Sequence, residues 1–133
     1  MKKLAFIGLV FTLFFLGCAK VEGPGGTSSI SGNVNVSYYN WWGPTQPFNS
    51  ALTDDRVYIK YGDSQSYGEY VRTDENGFFQ FKGLTPGNYT IYVFEADSTI
   101  WHQDVFTQKE VEVTINKNKE VVVVDDIEII RMP

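Results

Sequence analysis

The chain has little of what catalysis requires. Its 133 residues include one cysteine, Cys18, and one histidine, His102. A single cysteine excludes a disulfide within the chain, and no serine-hydrolase, zinc-protease or paired-cysteine pattern is present. His102 lies in a predicted loop, where a lone histidine more often packs or faces solvent than catalyses. We therefore expect a protein that is not an enzyme and that needs no cofactor.

Positive charge is also scarce. Eleven lysines and arginines stand against 16 acidic residues, which gives a net charge of −5 at pH 7. Nucleic-acid binding depends on cations that contact phosphates, so no nucleic-acid partner is expected. Asp54-Asp55 and Asp125-Asp126 are acidic pairs at strand ends, and edge protection and solubility explain them more simply than calcium does, although two such pairs at one pole could bind calcium weakly. Asp74-Glu75-Asn76-Gly77 lacks the spacing of a calcium loop and is predicted to be a hairpin turn. No metal site is expected.

Long apolar runs are absent except near the N-terminus. Met1-Lys2-Lys3 precedes a mostly apolar run over residues 4–16, which is shorter than the roughly 20 residues that a membrane-spanning helix needs. With Gly17 after it, this pattern is typical of a secretory signal peptide, residues 1–17. Phe15-Leu16-Gly17-Cys18 resembles a bacterial lipobox. That resemblance implies cleavage before Cys18 and attachment of lipid to that residue.

The alternative is a plain signal peptide followed by a chance cysteine. It would leave a free, reactive thiol in an exported protein. Lipidation instead explains both why there is one cysteine and where it lies. A lipid anchor makes the membrane a partner and the bacterial cell envelope the expected location. Ala19 follows Cys18 where an aspartate would signal retention in the inner membrane, and this favours the outer membrane.

The rest of the chain alternates between apolar and polar residues. Residues 19–29 read AKVEGPGGTSS, in which glycine, proline and serine dominate, so we predict a flexible tether over residues 18–28 and one domain over residues 29–133. Short alternating runs separated by turn residues are typical of half-buried strands. Val121, Val123, Ile127 and Ile129 share one phase of this alternation. About seven such strands predict an all-β fold, a β-sandwich.

One stretch carries a family resemblance. Residues 73–93 read TDENGFFQFKGLTPGNYTIYV, and Ile30-Ser31-Gly32-Asn33-Val34 has the form I-x-G-x-V. Together they resemble the carboxypeptidase regulatory-like domain, which is prealbumin-like (transthyretin-like). The resemblance implies a seven-stranded Greek-key sandwich that serves as an accessory module. On the residues themselves, alternation predicts that Phe79, Phe81, Tyr89, Ile91 and Val93 face inward, and that Phe78, Gln80, Thr90 and Tyr92 face outward.

Two loops rich in aromatic residues are the candidate binding sites. One follows the first strand and carries Tyr39, Trp41 and Trp42, and the other carries Trp101. These rings either cap the open ends of the sandwich or form a contact platform, with Trp42 or Trp101 facing solvent. The expected function is binding or structural contact with an envelope protein. The alternative is binding of a glycan by the aromatic loops.

Overall fold

The computed structural model describes residues 22–40, 42–44, 50–97 and 106–132, and gives only the backbone of Asn40, Gly43 and Pro44. These residues form two sheets, one of six strands and one of four. The predicted all-β class is confirmed, and the arrangement is that of a β-sandwich. In chain order the ten strands of the described part are β1 (Pro24–Asn40), β2 (Gly43–Pro44), β3 (Ser50–Ala51), β4 (Arg56–Tyr61), β5 (Glu69–Arg72), β6 (Phe78–Leu84), β7 (Gly87–Ala96), β8 (Phe106–Ile115), β9 (Val121–Val123) and β10 (Ile127–Arg131).

The six-stranded sheet is built around β1, which is 17 residues long. Its first half pairs antiparallel with β6 and parallel with β9. Its second half pairs parallel with β10 and antiparallel with the two-residue strands β2 and β3. Because one strand supplies the partner for all the others, the alternation of β1 decides which face of this sheet is apolar.

The four-stranded sheet has the order β5-β4-β7-β8, and every neighbouring pair is antiparallel. β7 and β8 are paired without interruption from Gly87 with Ile115 to Ala96 with Phe106. Within the described residues, β5 and β8 are therefore the edges of this sheet.

The apolar core lies between the inner faces of the two sheets. The inward positions predicted on β6 and β7 are confirmed, since none of these side chains is more than 2% exposed. Phe79 and Phe81 contact each other edge to face, with ring centroids 6.1 Å apart. The buried apolar residues include Ile30, Val34, Val36, Val57, Ile59, Phe79, Phe81, Leu84, Tyr89, Ile91, Val93, Ile115, Ile127 and Ile129.

The turn after Asp74 forms as predicted but does not close a hairpin. Asp74 Oδ1 accepts hydrogen bonds from the backbone N–H groups of Asn76 at 2.8 Å and Phe78 at 3.0 Å. Gly77 has a φ of 76°, and a Cβ there would collide with the carbonyl oxygen of Val34. The strands on either side, β5 and β6, belong to different sheets. The turn therefore carries the chain from one sheet to the other.

The domain begins earlier than the expected boundary at residue 29. β1 starts at Pro24 and so includes five residues of the predicted tether, 18–28. Ser28 is fully buried, and a Cβ on Gly26 would collide with the backbone of Leu84. Glycine is needed at residue 26 because two backbones approach closely there. The glycine-rich segment that predicted a linker is therefore part of a strand.

The chain just before β1 is held by Tyr89. The Gly23 N–H donates to the Tyr89 hydroxyl at 3.0 Å, and that hydroxyl lies 2.6 Å from the carbonyl oxygen of Thr85, to which it donates. A tyrosine that bonds to the backbone four residues upstream fixes the connection between β6 and β7. Here the same hydroxyl also fixes the entry of the chain into the sandwich.

The shared phase predicted for the last apolar run is wrong. Val121 and Val123 are 66% and 71% exposed, whereas Ile127 and Ile129 are buried. The run is two strands, because residues 124–126 interrupt it between β9 and β10. This break and the short strands β2 and β3 raise the number of strands above the expected seven or so. The Greek-key order stays a prediction. The described part of the chain contains no helix long and apolar enough to cross a membrane.

Candidate functional site

Aromatic side chains cover the outer side of the four-stranded sheet. Tyr58 on β4 lies opposite Tyr70 on β5 and opposite Tyr92 on β7, so three tyrosines form a row across three strands. Alternation explains their position, because Val57 and Ile59 flank Tyr58 in the chain and both point into the core. We use the name tyrosine face for Tyr58, Tyr67, Tyr70, Tyr92 and Phe94.

The rings of the tyrosine face contact one another around Tyr58. Its ring stacks on Tyr92 with centroids 4.9 Å apart and an angle of 7° between the planes. Phe94 and Tyr67 meet the same ring edge to face, at 5.5 Å and 5.0 Å. Tyr70 lies 5.8 Å away and is tilted by 50°. Contacts of this kind add stability beyond the area that they bury, so the face is a packed cluster.

The cluster has a buried floor and an exposed rim. Tyr92 points outward, as predicted, yet it is only 4% exposed because its neighbours cover it. Tyr67 and Tyr70 are 49% and 43% exposed. Burial is the main cause that raises the pKa of Tyr92 above its ordinary value of 10.0. The rim therefore offers two tyrosines to a ligand, while the floor holds them in place.

Two cations lie over the rings. The Arg56 guanidinium is 4.8 Å from the centre of the Tyr70 ring, and Lys60 Nζ is 5.0 Å from the centre of the Tyr92 ring. Lys60 also forms an ion pair with Glu110 at 3.3 Å. A hydrogen bond with Tyr58 is the largest cause that raises the pKa of Arg56, followed by the nearby tyrosines. Arg56 thus adds a fixed positive charge to the rim.

This arrangement suits recognition. Exposed tyrosines provide apolar ring surface together with hydroxyl groups that can donate or accept hydrogen bonds, and arginine adds a planar donor. Across the described residues, no group of three or more histidine, cysteine, aspartate or glutamate side chains could hold a metal ion. Comparisons with protein-family models and with curated proteins gave no match to this chain. The chemistry of the site itself therefore carries the functional argument.

The predicted site residues lie partly outside the described residues. Cys18, Trp41 and Trp101 belong to segments that the structure does not describe. Tyr39 is half-buried at the end of β1, where it pairs with Pro44. Trp42 is 94% exposed, so one of the two rings named as candidates for solvent exposure does face solvent. Its role in binding stays a prediction.

The strand ends that flank both aromatic loops lie at one pole of the sandwich. Arg131 pairs with Tyr38 near the end of β1. The same arginine donates from Nη2 to the carbonyl oxygen of Phe94, near the end of β7, at 2.9 Å. Gly23, near the start of the described chain, lies at the opposite pole with the start of β7. The described residues that flank both loops therefore lie at the end of the sandwich opposite Gly23.

Sequence reasoning missed the tyrosine face. The outward-facing positions of a sheet that is open to water are usually polar. On β4, β5 and β7 these positions hold Tyr58, Tyr70, Tyr92 and Phe94, and this pattern was the sequence signal for the face. Alternation identifies the inward residues of a strand, but it does not show what covers the outward ones. An aromatic content of 16% was the second signal, because the core and two loops do not account for all of it.

Proposed function

We propose that this protein is a lipid-anchored, non-enzymatic binding module of the bacterial cell envelope, and that its tyrosine face contacts a protein partner. The observation that carries the proposal is the pair of exposed tyrosines, Tyr67 and Tyr70, with Arg56 over the second ring. Tyrosine and arginine are enriched among residues that dominate the energy of protein interfaces. A supported aromatic rim on a net acidic protein is best explained by recognition.

Ring orientation favours a protein over a glycan at this face. A sugar stacks on a flat aromatic surface, but the planes of Tyr67 and Tyr70 meet at 68°, with centroids 6.4 Å apart. The one parallel pair in the cluster, Tyr58 with Tyr92, has its inner ring buried. Rings at steep angles offer no flat platform for a sugar, but they can contact the side chains of a protein partner from several directions.

The lipid anchor in the proposal rests on Cys18 and on how the domain begins. Because Gly23 is bound to Tyr89, only residues 19–22 would link the lipid to the folded domain. An extended chain covers about 3.6 Å per residue, so the attachment point would lie within about 18 Å of Gly23. The anchored domain would present its aromatic-loop pole away from the membrane, and the outer membrane remains the favoured location.

The prealbumin-like, carboxypeptidase regulatory-like assignment belongs to the same proposal. Two packed sheets, a core containing Phe79 and Phe81, and a crossing between sheets at Pro86-Gly87 support it. An accessory module of this kind is consistent with a binding role.

A glycan is the second candidate ligand, and its site would be the aromatic loops. The observation in its favour is the exposure of Trp42, 94%, at the pole where the flanking strands of both loops end. Titration with envelope glycans should then change tryptophan fluorescence, and Trp42→Ala should abolish that change without lowering the melting temperature. Unchanged fluorescence with every glycan tested would exclude this alternative.

Crosslinking at single positions in living cells tests the proposed protein contact. A benzoylphenylalanine in place of Tyr70 should form an adduct with one envelope protein on irradiation. The matched control carries the same probe in place of Val121, which is exposed on the other sheet. An adduct formed equally from both positions, or from neither, would show that the tyrosine face is not the contact.

A further inference from the structure

The outer edge of β8 is long and open. Among the described residues β8 pairs with β7 alone, along its whole length from Phe106 to Ile115 and without a bulge. It contains no proline. Open edges of this length present unpaired backbone N–H and C=O groups, and proteins usually shorten, twist or cover them. This edge is therefore a template on which another strand could pair.

A groove runs beside this edge, between β8 and the β9–β10 side of the other sheet. Its volume is about 550 Å³. The apolar part of its lining is Val111, Val123, Val124 and Ile127, and the charged part is Lys109, Glu112, Asp125, Asp126 and Glu128. β9 and β10 also pair only with β1 among the described residues. Two strand edges thus border one groove with an apolar floor.

Charge indicates what the groove would accept. Four carboxylates line it against a single cation, Lys109. A second copy of the chain would bring Glu112 and its neighbours against the same carboxylates, which like-charge repulsion disfavours. An extended segment with alternating basic and apolar side chains would satisfy the rim and the floor together, since successive side chains of a strand point to opposite faces.

We propose that this groove binds an extended cationic segment of a partner protein, which adds to the four-stranded sheet as a strand next to β8. Backbone hydrogen bonds to the β8 edge would provide affinity, and the carboxylates would select basic side chains. This surface is separate from the tyrosine face. Binding in the groove can therefore be tested independently of the contact proposed at the tyrosine face.

A synthetic peptide of alternating lysine and valine, acetylated and amidated at its ends, is the probe. Amide hydrogen exchange of the ¹⁵N-labelled protein is the measurement. The peptide should slow the exchange of β8 amides that exchange fast without it. Replacing its central valine with proline, or all its lysines with glutamate, should remove the effect, because the first loses a backbone donor and the second reverses the charge.

Charge reversal in the groove provides the matched comparison. Asp125→Lys with Asp126→Lys should weaken peptide binding roughly tenfold or more. Asp63→Lys with Glu75→Lys makes the same change in net charge near the opposite edge, next to β5 and β6, and should leave binding within about twofold. Full retention of binding by the first pair, or equal weakening by both, would overturn the proposal. Protection of the β8 amides that point away from β7, before the peptide is added, would also overturn it, since a second copy or the chain itself would then cover the edge.

Discussion

Phe81 and Phe78 lie in the same strand and allow a direct test of the packing. Phe81 is fully buried between the sheets, whereas Phe78 is 38% exposed on the outer side of β6. Phe81→Ala should lower the free energy of unfolding by about 3–5 kcal/mol, because it removes a buried ring and leaves a cavity. Phe78→Ala should cost about 1–2 kcal/mol, because its ring is only partly buried and water fills the space left.

Urea denaturation of both variants measures this difference. A small domain has a total stability of about 5–15 kcal/mol, so Phe81→Ala should move the midpoint strongly while Phe78→Ala moves it modestly. The slope of the transition should stay the same, since neither change alters the surface exposed on unfolding much. The hydrogen bond that the Phe78 backbone N–H donates to Asp74 Oδ1 is kept in both variants. Equal losses would show that the assigned register of β6 is wrong.

Two further changes test other parts of the account. Cys18→Ser should leave the protein unprocessed or unanchored; mass spectrometry that finds an unmodified Cys18 at the mature N-terminus would refute lipidation. Burial raises the pKa of Tyr92 above 10.0, so the folded state holds its proton more tightly than the unfolded state. The resulting stability is intact below about pH 10 and is lost as the pH rises through the folded pKa. Tyr92→Phe should therefore reduce the fall in unfolding free energy between about pH 9 and pH 11. The part of this fall that is due to Tyr61 should remain, because burial also raises the pKa of Tyr61. An unchanged fall would contradict this explanation.

Alternation predicted the core well because it reports the local geometry of each strand. The two-residue period of a strand is enough to predict which side chains between Phe79 and Val93 on β6 and β7 face the core. The turn chemistry at Asp74 was predicted for the same local reason. Which strands the turn connects was not, because sheet membership depends on long-range pairing with β1 and β4.

The misses have long-range causes as well. Residues 24–28 form a strand because β6 offers a partner, and their glycines permit the close approach to Leu84. The exposed phase of Val121 and Val123 follows from a break at residues 124–126, which restarts the alternation in β10. The tyrosine face arises from cross-strand neighbours on β4, β5 and β7, and no single segment of the sequence shows those neighbours.

The most direct test of the central claim is the affinity for the protein that crosslinks at Tyr70. The variant Tyr67→Ala with Tyr70→Ala should weaken this affinity by at least about thirtyfold, because two interface tyrosines are removed. Lys82→Ala with Val121→Ala removes two exposed side chains from the other sheet, neither of which lines the groove beside β8, and should change the affinity by less than about twofold. The tyrosine pair should also lower the melting temperature, because both rings pack on Tyr58, so the affinities are compared at a temperature at which every variant is fully folded. Unchanged affinity in the tyrosine pair would contradict the assignment of this face as the binding site.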